Sequence, residues 1–304
     1  MKALKRTLDK FYKEYDFKGR IAFDPIEFPH QYKRPEDIEV AGFIASCFAY
    51  GRVDLFKPVV RTIIGAMGES PYEFLLGFNP GKQGPLLKGI QYRFNRNADI
   101  ICLLHVLGGT LRKYGSMESL FKGHYRESDA DIGSGLAGMV DALLDTPAVC
   151  GGNAKAYGFL QFFPSPVKGS ACKRMNLFLR WMVRDRDIDF GIWKDIPKNK
   201  LIIPLDTHIA RIARCLGFTK RASQDWKMAE EITGALKLLD PEDPLKYDFA
   251  LCHQGISGVC SSLHCGACSL SGQSCARSAP PENPKRFYLI NKQEILENTK
   301  IYYL

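Results

Sequence analysis

PLDTHIARIARCLGF, residues 204–218, reads as a helix with both of its ends written into the sequence. Pro204 and Leu205 lead up to Asp206, an N-cap residue type whose carboxylate can take the free amides of Thr207, His208 and Ile209. Gly217 closes the helix. Capping and the helix dipole favour the ionised carboxylate, and read alone Asp206 is a cap and nothing more. Upstream, CKRMNLFLRWMVR (172–184) is a strongly amphipathic helix entered through the punctuated turn PSPVKGS (164–170), and DIDFGIWKDIPKNKLI beyond it reads as loop. Downstream, two more helices are expected near 223–239 and 243–255. Toward the N-terminus, residues 36–67 are helix-rich with no proline before Pro58, and residues 98–114 and 129–145 are amphipathic helices. Between these, GSMESLF reads as a short helix capped by Ser116. In the tail after 280, RFYLI and KIYYL can pair as short strands. No internal repeat or low-complexity segment interrupts a body that is overwhelmingly α.

The 304 residues, 45% hydrophobic and 25% charged, have the balance of an ordinary globular protein. MKALKRTLDKFYKEYDF at the start carries no long apolar run, and no stretch approaches the roughly 18 apolar residues of a membrane helix. A cytoplasmic protein with no membrane partner is expected. The 42 Lys and Arg exceed the 33 Asp and Glu by a net +9, and residues 168–227 hold fourteen of the basic residues against six acidic ones, a net +8. That clustering suits a polyanionic partner; a solvated basic face with no ligand is the other reading. A cytosolic setting makes a disulfide framework an unfavoured use of the ten cysteines. Cys47, Cys102, Cys150, Cys172 and Cys215 are scattered. Cys260, Cys265, Cys268 and Cys275 are spaced C-x4-C-x2-C-x6-C, close enough to wrap one centre. A 4Fe–4S cluster suits one tight four-cysteine loop, zinc more often takes two separated pairs, and unligated thiols are the remaining alternative. Cys252, on the preceding helix, reads as a buried thiol.

ALCHQGISGVCSSLHCGACSLSGQSC (250–275) resembles the C-terminal iron–sulfur loop of endonuclease III-type DNA glycosylases, with two residues fewer in the first gap and one more in the last. PLDTHIARIARCLGF resembles the V-D-T-H helix of the helix-hairpin-helix glycosylases on Asp206, Thr207, His208, Ile209, Arg211 and Arg214. KRMNLFL, from Lys173, resembles their K-x-x-N-h-h-L helix on Lys173 and Asn176. The family hairpin L-P-G-V-G-x-K is replaced by PVKGSACK (166–173), with Ala171 where the second glycine would stand. The 33 positions from Lys173 to Asp206 are closer to the archaeal 8-oxoguanine DNA glycosylases. IEVAGFIASCFAYGRV (38–53) loosely resembles the helix that ends in S-A-Q; without the glutamine, Tyr50 and Arg52 lie nearest that point. The whole chain is also similar to a bacterial family of unknown function.

The resemblance implies an all-α, two-lobed helix-hairpin-helix glycosylase-like fold with a C-terminal four-Cys metal loop. Its parts would be an N-terminal helix (1–37) packing on the second lobe, a helical-bundle lobe (38–150), a hairpin and metal-loop lobe (151–280) and a tail (281–304). It implies a monomeric DNA-repair glycosylase and AP lyase acting on double-stranded DNA with a damaged base, which is flipped into a pocket. Lys173 would be the nucleophile and Asp206 the electrostatic catalyst. Lys168, Gly169, Ser170, Arg174, Thr207, His208 and Arg211 would contact DNA, and Tyr50 and Arg52 would form the base pocket or wedge. Cys260, Cys265, Cys268 and Cys275 would hold a 4Fe–4S cluster, or Zn. The alternative is a non-catalytic nucleic-acid-binding protein in which Lys173 is a phosphate contact.

Overall fold

The structure, a computed structural model, describes residues 1–146 and 156–256. Among the described residues every regular element is helical, and β pairing is confined to two isolated bridges, Tyr92 with Asn95 and Ser170 with Asp225. In chain order the α-helices are α1 (Lys2–Lys13), α2 (Pro35–Phe48), α3 (Val53–Met67), α4 (Pro71–Leu76), α5 (Pro80–Gln83), α6 (Asn97–Tyr114) and α7 (Met117–Lys122). After these come α8 (Gly133–Asp145), α9 (Tyr157–Leu160), α10 (Lys173–Val183), α11 (Thr207–Cys215), α12 (Trp226–Lys237) and α13 (Asp248–Ile256). The strands expected in RFYLI and KIYYL, and the cysteines 260, 265, 268 and 275, lie outside the described residues. None of the described helices is long and apolar enough to cross a membrane.

The chain divides into two units. The larger comprises Asp16–Asp206 and Ser223–Lys246. At its centre, α2 is buried on every side from Asp37 to Phe48, as expected of a helix apolar all round. It packs along α10, where Phe43 and Phe178 meet edge to face at 5.0 Å. Glu39, a buried carboxylate of α2, accepts from Met117 N at 2.9 Å, Glu118 N at 3.0 Å and Trp193 Nε1 at 2.8 Å. Glu39 thereby caps the free amides of α7, with Ser116 Oγ accepting from Ser119 N at 3.0 Å as expected. Burial pushes the Glu39 carboxyl up to about 7 against the pull of those three donors. The helix-rich stretch 36–67 is not continuous. It breaks at Ala49–Arg52, where Gly51 takes φ +78°.

The far end of α10 is anchored by charge. Arg184 donates from Nε to Asp243 Oδ1 at 2.9 Å, from Nη2 to Asp243 Oδ2 at 2.8 Å and Asp187 at 3.0 Å, and from Nη1 to Asp189 at 2.5 Å. Arg180 Nη2 lies 3.3 Å from Asp189. Both arginines are only 2% exposed. Burial works against the Arg184 charge, but Asp189 and Asp243 more than offset it and hold the guanidinium well above its ordinary pKa. The stretch read from the sequence as loop therefore supplies two of the carboxylates, Asp187 and Asp189, that hold these buried arginines.

The smaller unit comprises Met1–Tyr15, Thr207–Ala222 and Tyr247–Leu304. Leu4 and Leu8 of α1 are buried; Tyr12 meets Tyr247 and Tyr15 meets Phe249 edge on, each at 6.1 Å. Tyr247 donates its hydroxyl to Asp9 at 2.6 Å. α11 packs on α13 at Gly255, where a Cβ would stand 2.6 Å from that of His208. Gly217, at φ +74°, ends α11 as its position predicts. In the larger unit, Cys47 and Cys172 are free thiols. Cys102 is disulfide-bonded.

Candidate active site

The first residues of α10 are set by the loop before them. Pro166–Lys168 form a 3-10 turn, Gly169 follows at φ +74°, and Cys172 takes the left-handed conformation at φ +47°. That conformation costs a non-glycine residue on the order of 1 kcal/mol, and the loop is bonded so as to hold it. Cys172 N donates to Ser170 Oγ at 3.2 Å, Cys172 Sγ donates to Ser170 O at 3.3 Å and Pro164 O at 3.4 Å, and Asn176 Nδ2 donates to Ala171 O at 3.1 Å. Lys173 is thus fixed as the first residue of the helix.

From there Lys173 reaches the end of α2, donating from Nζ to Ala49 O at 2.9 Å. Arg174 donates to Cys47 O at 2.7 Å and also to Gln161 O, and its guanidinium lies 5.0 Å from the centre of the Tyr50 ring. Tyr50 donates its hydroxyl to Asn95 Oδ1 at 2.5 Å, while Asn95 Nδ2 donates to Gly158 O at 2.5 Å. Tyr92 donates to Tyr50 O, also at 2.5 Å. Tyr50, Gln161, Ser170, Cys172, Lys173 and Arg174 are among the residues lining a cavity of about 400 Å³ within the larger unit. That volume is in the range of small-molecule sites.

Electrostatics separates the nucleophiles of this cavity. Burial pushes the Cys172 thiol up to about 12, and the Cys47 thiol behind it likewise, in spite of Arg174. Both are protonated at neutral pH and inert as thiolates. Burial raises Tyr50 to about 12 as well, so its hydroxyl stays a donor to Asn95. Ser170 Oγ already accepts from a backbone amide and has no base beside it among the bonds described. The Lys173 amine is the remaining nucleophile on the wall.

Several other residues singled out in the sequence stand elsewhere. Arg52 is exposed and ion-paired with Asp54 at 2.5 Å; it does not line the cavity. Asp206 is half-buried at the start of α11 and is not among the lining residues. Lys168 and Gly169 are exposed, but the Gly169 amide donates to Pro166 O at 2.8 Å and is not open to a phosphate. Thr207, His208 and Arg211 belong to the smaller unit, where Arg211 donates to Gly255 O at 3.0 Å. The basic run 168–227 is partly turned inward: Arg174 serves two backbone carbonyls, and Arg180 and Arg184 serve the buried aspartates. Among the described residues no group of His, Cys, Asp and Glu could hold a metal ion.

Residues 24–257 match a family described as a protein of unknown function, DUF2400. The chain belongs to that family. No curated protein and no solved structure matches it. The matched span of this DUF2400 chain contains the whole cavity and its supports, and stops short of Cys260. Asn95 and Gln161 are parts of the site that sequence reading missed. Neither lies in a recognisable motif; they are found only because Asn95 is fully buried under Tyr50 and the Gln161 carbonyl receives Arg174.

Proposed function

We propose that this protein is a helix-hairpin-helix DNA glycosylase with AP-lyase activity, acting as a cytoplasmic monomer on double-stranded DNA that carries a damaged base. What supports the reading is the meeting of Lys173 with Tyr50 at one cavity. Sequence resemblance gives these two residues, from opposite halves of the chain, the roles of nucleophile and base pocket, and both line it. A base flipped out of the duplex would stack on the Tyr50 ring, with Arg174 behind it. The Lys173 amine gives up a proton and forms a bond to C1′ as the glycosidic C–N bond breaks, and the base leaves with that electron pair and takes up a proton. Opening of the sugar ring gives an iminium, and loss of a C2′ proton expels the 3′ phosphate. Asp206 is assigned to the positive charge that develops on the sugar.

Cys260, Cys265, Cys268 and Cys275 would hold a 4Fe–4S cluster, with zinc as the alternative; four thiolates within sixteen residues suit either. The group supplies a fold for the loop and no chemistry to base removal.

Borohydride trapping on duplexes carrying a panel of damaged bases tests the reading. A covalent adduct is expected that disappears in Lys173→Ala while duplex affinity is nearly kept, and Asp206→Asn, which retains an equally good cap, should slow base loss by orders of magnitude. One observation favours a second reading, a non-catalytic nucleic-acid-binding protein: Lys173 already has a structural bond to Ala49 O. In that case no adduct forms with any lesion, Asp206→Asn changes nothing, and Lys173→Ala weakens binding modestly.

A further inference from the structure

The net charge of the molecule sits in its smaller unit. The described residues of that unit hold nine Lys and Arg against three acids, Asp9, Glu14 and Asp248, a net +6; those of the larger unit hold 27 of each and are neutral. Within the smaller unit, Thr207–Ala222 has no acidic residue at all. In α1, Lys5 pairs with Asp9 at 2.7 Å, and Asp9 also receives the Tyr247 hydroxyl. That leaves Lys2, Arg6, Lys10 and Lys13, all exposed, and none of the four is in an ion pair among the described residues. Steps of four, four and three residues put them in one stripe on the side of α1 away from Leu4 and Leu8. The stripe is about 16 Å long.

We infer that this face of α1 tracks the phosphate backbone of duplex DNA. Along 16 Å of axis a duplex carries roughly ten charges, and four cations on one line can neutralise part of them without reading a base. A basic amphipathic helix also suits an anionic membrane, but that use needs a free apolar face. Here Leu4 and Leu8 are buried, and Tyr12 and Tyr15 are engaged by Tyr247 and Phe249. The helix offers charge alone. The inference takes its partner class from the function proposed above, but it requires neither Lys173 nor a damaged base.

The test is fluorescence anisotropy with an undamaged 20-base-pair duplex over a series of salt concentrations, beside anionic vesicles of phosphatidylserine. The variant Lys2→Gln/Arg6→Gln/Lys10→Gln/Lys13→Gln is compared with a control that removes as many exposed charges from the larger unit, Lys33→Gln/Lys82→Gln/Lys88→Gln/Lys227→Gln. Far-UV circular dichroism checks folding, and Lys2→Arg/Lys10→Arg/Lys13→Arg keeps the charge should the quadruple variant unfold. The expected result is a log–log salt slope shallower by about 3.6 for the α1 variant, near 0.9 for each of the four lost contacts. Affinity should fall tenfold or more, with the control little changed and the arginine variant like wild type. Equal losses in both quadruple variants, no loss in the α1 variant, an arginine variant that binds like the glutamine one, or wild-type binding to vesicles but not to duplex would overturn it. Borohydride trapping that succeeds while the α1 variant binds normally removes this inference and leaves the proposed function; the reverse pattern removes only the function.

Discussion

Replacing Arg184 by Met should cost the larger unit about 3–5 kcal/mol of stability, the range for removing one partner from a buried ion pair. The guanidinium satisfies three carboxylates at once: Asp243 through two nitrogens, Asp189 at 2.5 Å and Asp187 at 3.0 Å. Without it, Asp189, whose side chain is 1% exposed, keeps only Arg180 of the two guanidinium partners, and Asp243 loses its bidentate partner. Asp189 is then left with one arginine where water scarcely reaches, while Asp187 and Asp243, with side chains 14% and 9% exposed, lose their bonds to Arg184. Methionine fills part of the volume, so the loss is chiefly electrostatic. Against a typical stability of about 5–15 kcal/mol this is a large fraction. All three tryptophans, Trp181, Trp193 and Trp226, are buried in the larger unit, so urea unfolding followed by tryptophan fluorescence reads that unit alone. A loss below about 1 kcal/mol, the range of an exposed pair, would refute the reasoning. A further check is repair: Arg184→Met combined with Arg180→Met, Asp189→Leu and Asp243→Leu should recover much of the loss, because an apolar cluster of similar volume replaces the buried charges and leaves Arg180 no orphan. The consequence reaches the cavity, since the cluster anchors one end of α10 and Lys173 is at the other.

Three more outcomes are expected. Glu39, raised by burial to about 7 from an ordinary 4.5, binds its proton more tightly folded than unfolded. Its contribution is therefore full below about 4.5 and lost as pH rises through about 7, by roughly 3 kcal/mol at most; the pH slope of urea stability between 5 and 8 should flatten in Glu39→Gln, and an unchanged slope would be evidence against the buried, proton-binding carboxyl. Tyr50→Phe removes the only side-chain partner described for the buried Asn95 Oδ1 and should cost about 1–3 kcal/mol by the same fluorescence assay, whereas a neutral substitution would mean water replaces it. Purified protein should be brown, with broad absorbance at about 400 nm that is lost in Cys265→Ser; colourless protein with one equivalent of zinc would assign the four cysteines to the other metal.

Periodicity and end signals alone marked the longer helices, while the short α4, α5 and α9 carry too few residues for a period to show. Ser116 and Gly217 act within a few residues of themselves, so α7 and the end of α11 were legible from local chemistry. Local chemistry also marked Lys173 as the residue that opens a helix. It did not show what that lysine faces, because Ala49 is 124 positions away and its carbonyl is offered only by the break after α2. Charge is only partly legible for the same reason. Counted along the chain, the excess lies in 168–227; in space Arg174, Arg180 and Arg184 are drawn inside the larger unit by carbonyls and aspartates from distant segments. Meanwhile α1 and α11, nearly 200 residues apart in sequence, fall in one basic unit. Helix formation is decided over about four residues, whereas the neighbours that bury, pair or expose a side chain come from anywhere in the chain, so only tertiary packing could decide which lysines and arginines face a partner.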